Sequence, residues 1–149
     1  MFRISQYMEE IAHPTPLGPK RNPPGPVVIW NLIRRCNLTC KHCYSISADK
    51  DFPGELSTQE VYGVMDDLKR FRVPVLILSG GEPLLRPDIF DIAQRAKGLG
   101  FYVGLSSNGT LIDESNIRRI EETDFNYVGI SLDGIRETHD KFRRMAGAF

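Results

Sequence analysis

The chain has 149 residues, 41% hydrophobic and 26% charged, the balance of a single globular domain large enough to bury a core. Lysine plus arginine equals aspartate plus glutamate at 19 each, so no net charge favours nucleic acid or an anionic membrane as a partner. No apolar run reaches membrane-spanning length and the opening MFRISQYMEEIAHPTP has no apolar signal segment, so reduced thiols in a cytoplasmic protein are expected.

Residues 1–26 read as a proline-rich N-terminal extension. Met1 to Ile11 predicts a short helix, and the six prolines between His13 and Pro26 predict a stiff, extended stretch. Val27 to Ile33 (VVIWNLI) is an almost unbroken apolar run and predicts a strand buried on both faces, as in a parallel sheet.

Directly after that strand come the only cysteines, Cys36, Cys40 and Cys43, spaced Cys-x3-Cys-x2-Cys. Their odd number argues against a disulfide framework. Three thiolates can hold three corners of a four-iron cluster and leave the last iron open, and an open position separates a reactive metal site from a structural one. A Cys3His zinc module, without catalysis, is the rival. For that rival His42 lies between two cysteines and is poorly placed, whereas His13 and His139 are possible fourth ligands.

Ser57-Thr58-Gln59-Glu60 is a capping box, and Val61, Val64, Met65, Leu68 and Phe71 continue it at helical spacing. Val75 to Leu78 predicts a short buried strand. Ile89, Ile92, Ala93, Ala96 and Leu99 mark the next helix face, with Gly98 and Gly100 as candidate C-caps. Phe101 to Leu105 predicts a third strand, Asp113 an N-cap for a helix carrying Ile117 and Ile120, and Tyr127 to Leu132 a fourth strand. A further helix is expected from about Arg136.

YVGLSSNG (Tyr102–Gly109) repeats as YVGISLDG (Tyr127–Gly134) at an offset of 25 residues. Repeated strand–helix units of that period predict an α/β fold, either a (β/α) barrel or an open doubly wound sheet. Polar residues follow each strand: the cysteine loop, then Ser79-Gly80-Gly81-Glu82-Pro83, then Ser107-Asn108-Gly109-Thr110, then Ser131-Leu132-Asp133-Gly134. The C-terminal ends of parallel strands point the same way, so these loops are expected to converge on one site. Each loop alone is compatible with a tight turn; their combination and order carry the reading.

With CNLTCKHC and SGGEP in this order, the chain resembles the radical S-adenosylmethionine superfamily over Val27 to Phe149. That resemblance implies the N-terminal portion, about four βα units, of a partial (β/α)6 TIM-like barrel. It implies a core domain over 27–149, truncated on its C-terminal side inside the fourth helix and expected to be unstable and inactive alone, with the fourth strand as a bare edge. By the resemblance, Cys36, Cys40 and Cys43 ligate a 4Fe-4S cluster. The methionine end of S-adenosylmethionine binds the open iron, and the Gly80-Gly81-Glu82 loop holds its ammonium. His42 takes the position near the adenine. Ser107, Asn108, Ser131 and Asp133 lie where the family contacts the ribose and the methionine end, and Arg143 is a partner for the carboxylate. The implied chemistry is reductive cleavage to a 5′-deoxyadenosyl radical that abstracts a substrate hydrogen, with a ferredoxin or flavodoxin as electron donor.

Within the superfamily, PPGPVVIWNLIRRCNLTCKHCYSISAD and VPVLILSGGEPLLRPDIF are most similar to the NirJ-type subfamily of haem d1 biosynthesis. This implies a tetrapyrrole substrate, a didecarboxysirohaem-type precursor losing propionate side chains. Haem-pathway decarboxylases acting on an iron-coproporphyrin-type substrate rank second, and radical peptide maturases third.

Overall fold

Four parallel strands pair in the order in which they occur in the chain, each joined to the next by a helical crossover. The computed structural model describes residues 8, 11–13 and 25–149. Most of the expected N-terminal helix and of the proline-rich stretch lies outside these described residues.

The elements are β1 (Val27–Asn31), α1 (Thr58–Arg70), β2 (Val75–Ser79), a short 3-10 turn (Pro83–Leu85), α2 (Ile89–Gly98), β3 (Tyr102–Ser107), α3 (Ile117–Thr123), β4 (Tyr127–Ile130) and α4 (Glu137–Arg143). The pairing register aligns Trp30 with Leu78 and Leu78 with Leu105. Those residues and the next layer, Val28, Leu76 and Val103, face the helices. They pack against Val61 and Met65 of α1, Ile89, Ile92, Ala93 and Ala96 of α2 and Ile120 of α3. This helix-covered face is the core, and it fits the apolar periodicity of each helix. No described helix is long and apolar enough to cross a membrane.

The other face of the sheet holds Ile29, Ile77, Gly104 and Tyr127 in register. Here the reading of β1 needs correction. The strand is not buried on both faces: Val27 is 50% and Ile29 66% exposed, because β1 is an edge strand and only one of its faces meets helices. An apolar run reports the capacity for burial and not the presence of a second covering layer.

Helix ends follow local chemistry with two exceptions. The Ser57 capping box forms as expected, with the Ser57 N–H donating to the Glu60 carboxylate at 2.8 Å and the Glu60 N–H to Ser57 Oγ at 3.4 Å. Gly100, at φ +79°, takes the left-handed position after α2, whereas Gly98 is still helical. Asp113 does not cap α3; its carboxylate accepts the Ser115 N–H at 2.8 Å in a tight turn, and the helix begins after Asn116.

Candidate functional site

The segments that follow β1 and β2 meet backbone to backbone. Gly81 N–H donates to the Ile33 carbonyl at 2.6 Å and Glu82 N–H to the Arg35 carbonyl at 2.9 Å. The strand leading to the cysteines therefore lies directly against the diglycine. A Cβ on Gly81 would stand 2.3 Å from the Arg35 oxygen and 2.5 Å from the Arg34 oxygen, and Gly80 holds φ +150° with Ile33 O 2.4 Å from its Cβ position. No side chain fits between these two segments. Gly81→Ala is expected to destabilise the chain by about 1–3 kcal/mol through overpacking against backbone. Gly63→Ala, in α1 with nothing within 4 Å of its Cβ position, is expected to stabilise it by about 0.5–1 kcal/mol. Urea unfolding of the two variants checks the contrast.

Beyond this contact the cysteine loop turns away from the sheet. Cys36 N–H donates to the Ala48 carbonyl at 3.1 Å, Cys43 N–H to Cys40 O at 3.2 Å, and Lys41 N–H reaches the Phe142 carbonyl of α4 at 2.9 Å. All three thiols are free, with Cys36 buried and the other two half-buried. They line a single cavity of about 500 Å³. Each sulfur has its own polar neighbour. Leu38 N–H points at Cys36 Sγ (3.4 Å), as does Asn108 Nδ2 (3.9 Å). Arg143 Nη1 donates to Cys40 Sγ (3.6 Å), and Ser45 Oγ lies 3.3 Å from Cys43 Sγ. Burial pushes the Cys43 thiol up, but hydrogen bonds from Ser45 and Ser47 outweigh it and hold it lowered to about 7. Burial raises Cys36, with the nearby Glu82 carboxylate adding to the effect.

Of the other expected site residues, His42, Gly80, Gly81, Ser107, Asn108, Ser131, Asp133 and Arg143 all line that cavity. Glu82 does not. Its side chain is fully buried behind the wall, accepting from Leu84 N–H (3.1 Å), Ser107 Oγ (2.9 Å) and Asn108 N–H (2.8 Å). Burial raises its carboxyl above the usual carboxylate range, against the pull of these hydrogen bonds. Glu82 thus ties the diglycine loop after β2 to the end of β3.

His42 Nε2 stands 3.4 Å from Asp133 Oδ1, and its ring lies against Phe142. His139, one of the candidate zinc ligands, is buried, and its Nδ1 accepts the Asp133 N–H at 3.2 Å. Asn37 and Thr110 do not line the cavity but brace Asn108, which does. Asn37 Nδ2 donates to Thr110 Oγ1 (2.8 Å), Thr110 Oγ1 donates to Asn108 Oδ1 (2.6 Å), and Asn108 Nδ2 donates back to Asn37 Oδ1 (2.9 Å). Of this ring, Asn108 and Thr110 were legible as part of the polar loop after the third strand, and Asn37 was signalled only by its position inside the cysteine motif.

Among the described residues, no three His, Cys, Asp or Glu side chains converge on a point that would hold one metal ion. A multinuclear cluster does not need such a point, because each thiolate binds a different iron. Separated thiols on one cavity, each with its own hydrogen-bonding neighbour, fit that ligand set.

The sequence profile of the radical SAM superfamily matches residues 30–148. The chain belongs to the radical SAM superfamily. This is an enzyme family whose cofactors are a 4Fe-4S cluster and S-adenosylmethionine. The chain is 55% identical over its whole length to the pre-heme d1 synthase of Dinoroseobacter shibae, covering 37% of that protein. It is 52% identical over 83% of its length to the Fe-coproporphyrin III synthase of Methanosarcina barkeri, covering 31% of it. It thus spans about a third of the length of these curated relatives. Among solved structures, Streptococcus suis SuiB bound to S-adenosylmethionine superposes with a TM-score of 0.68 at 18% identity, over 83% of this chain and 28% of that one. At this identity the likeness concerns the fold: the α/β architecture is that of the N-terminal part of a radical SAM barrel, as the strand-end motifs led one to expect.

Proposed function

We propose that this radical SAM chain forms the cluster- and cosubstrate-binding part of an enzyme of tetrapyrrole biosynthesis that removes propionate side chains from a didecarboxysirohaem-type precursor. The observation that carries the chemical half of this reading is the single cavity onto which three separated thiols, the diglycine loop and the ends of β3 and β4 open. Identity of 55% to a pre-heme d1 synthase supports the substrate half. The 41% identity to AdoMet-dependent heme synthases supports a second reading, decarboxylation of an iron-coproporphyrin-type substrate. The 38% identity to mycofactocin maturases makes peptide maturation the weaker third.

In this reading Cys36, Cys40 and Cys43 hold the 4Fe-4S cluster. When bound, cluster and cosubstrate together supply a 5′-deoxyadenosyl radical. The protein's part is to bind, orient and shield. The Gly80-Gly81 backbone receives the methionine ammonium, with Glu82 fixing the loop from behind. Ser107, Asn108, Ser131 and Asp133 serve the ribose and methionine end, His42 flanks the adenine, and Arg143 serves the carboxylate. A ferredoxin- or flavodoxin-like donor supplies the electron, and the compartment is the cytoplasm.

Anaerobic reconstitution with iron and sulfide, followed by EPR spectroscopy with and without S-adenosylmethionine, tests the core of this. The expected result is a reduced 4Fe-4S signal that changes when the cosubstrate is added. A colourless protein that retains zinc instead would sink it. Mass spectrometry of the tetrapyrrole separates the two substrate readings: loss of whole propionate side chains supports the first, and loss of carbon dioxide alone supports the second.

A further inference from the structure

The cysteine loop is fastened to α4 by more than its own backbone. Lys41 N–H donates to Phe142 O at 2.9 Å, and the next residue of that helix, Arg143, sends Nη1 to Cys40 Sγ at 3.6 Å. The Arg143 side chain is only 9% exposed. On its other side, Nε lies 2.7 Å from Asp133 Oδ2. That contact is an ion pair without hydrogen-bond alignment, so both buried atoms keep an unused hydrogen-bonding valence. A permanent cation is thus clamped between one sulfur and one carboxylate, while the remaining Asp133 oxygen turns to His42.

A structural ion pair would not need to place a donor on a cysteine sulfur. We infer that Arg143 tunes the reduction potential of the cluster through Cys40, with Asp133 as the opposing charge. This inference rests on the reading that the three cysteines hold a 4Fe-4S cluster. One-electron reduction adds negative charge at the cluster and its thiolates. A guanidinium donating to a ligand sulfur stabilises that added charge and raises the potential, whereas a carboxylate behind the guanidinium lowers it. The Arg143 and Asp133 side chains are only 9% and 22% exposed, so solvent screens their influence weakly. Arg143 is therefore a positioning and tuning residue even before any cosubstrate binds.

The test is an EPR-monitored redox titration of the reconstituted chain without S-adenosylmethionine, in wild type, Arg143→Gln and Asp133→Asn, each normalised to its iron and sulfide content. The expected result is a pair of opposite shifts: a more negative midpoint for Arg143→Gln and a more positive one for Asp133→Asn. Midpoints equal to wild type in both variants overturn the inference and leave Arg143 as a cosubstrate or structural contact. Shifts of the same sign also overturn it, since they report a common loosening of the loop. Should Arg143→Gln retain no cluster, Asp133→Asn decides alone: a positive shift upholds the inference, and no shift or a negative one overturns it. Absence of a 4Fe-4S signal in the wild type is a different failure, because it removes the cluster reading itself.

Discussion

Replacing Arg86 with alanine is expected to destabilise the chain by about 3 kcal/mol, because it removes a buried guanidinium and leaves the half-buried Asp88 carboxylate and two backbone carbonyls without their donor. Arg86 is 7% exposed and has all its groups engaged. Nε and Nη2 form a forked pair with Asp88 at 2.7 and 3.1 Å. Nη1 donates to the Leu32 carbonyl just beyond β1 (3.1 Å), and Nη2 donates also to the Leu56 carbonyl before α1 (2.9 Å). One guanidinium therefore joins both ends of the segment that carries the cysteines. Thr58 Oγ1 adds a donor to Asp88 at 2.6 Å. Burial pushes the Asp88 carboxyl up, but the hydrogen bonds from Arg86 and Thr58 prevail and leave it below the usual range. A depressed folded value means that this stabilisation is present above the unfolded carboxyl's range and is lost as pH falls through the folded value. Urea midpoints of wild type and Arg86→Ala should thus be far apart at neutral pH and draw closer in acid. Equal midpoints at neutral pH would show that the pair is dispensable.

The second large effect is expected at Glu82. Its two oxygens receive three donors, so a carboxylate satisfies the site and an amide cannot. In Glu82→Gln the amide nitrogen can donate to Ser107 Oγ, but it then faces the Leu84 N–H, whose acceptor it has replaced. Leaving a buried donor unpaired costs about 1–3 kcal/mol. The pH dependence has the opposite sign to that of Asp88. The folded carboxyl is raised by burial, so its contribution is full below the unfolded value and declines as pH rises through the folded one. Wild type should lose stability over that window, and Glu82→Gln should not. A variant that keeps the wild-type slope would assign the titration to another group.

These two residues show where reading the sequence stops. The cysteine spacing, the capping box at Ser57 and the polar loops after each strand are local patterns, and the structure gathers the loops on one cavity as parallel strand ends require. Arg86 was invisible because Leu32 and Leu56 become its neighbours only after β1 and β2 pair, and the local Arg86–Asp88 spacing carries no signal without them. Glu82 was legible as a motif residue, but its burial was not, since that follows from β3 delivering Ser107 and Asn108 behind it. The exposed face of β1 has the same origin: hydrophobicity is a property of residues, and covering layers are a property of the fold. Asp113 shows local competition, where an Asx turn with Ser115 took the carboxylate that a helix start would have used.

The register of the sheet also bears on how the chain assembles. Val27 pairs with Val75, Val75 with Tyr102 and Gly104 with Tyr127, so the crossover between the first two strands is the longest of the three. It is close to twice the length of the others, and each doubling of a closed loop adds about 0.6 kcal/mol of entropy to be overcome. The strand that presents the cysteines is thus the least local addition to the sheet, and the polypeptide between it and α1 gains its shape only when that closure is made. Until then the thiols belong to an open chain, so their reaction with oxidants or stray metal is a hazard that begins in the folding interval, before the cavity exists.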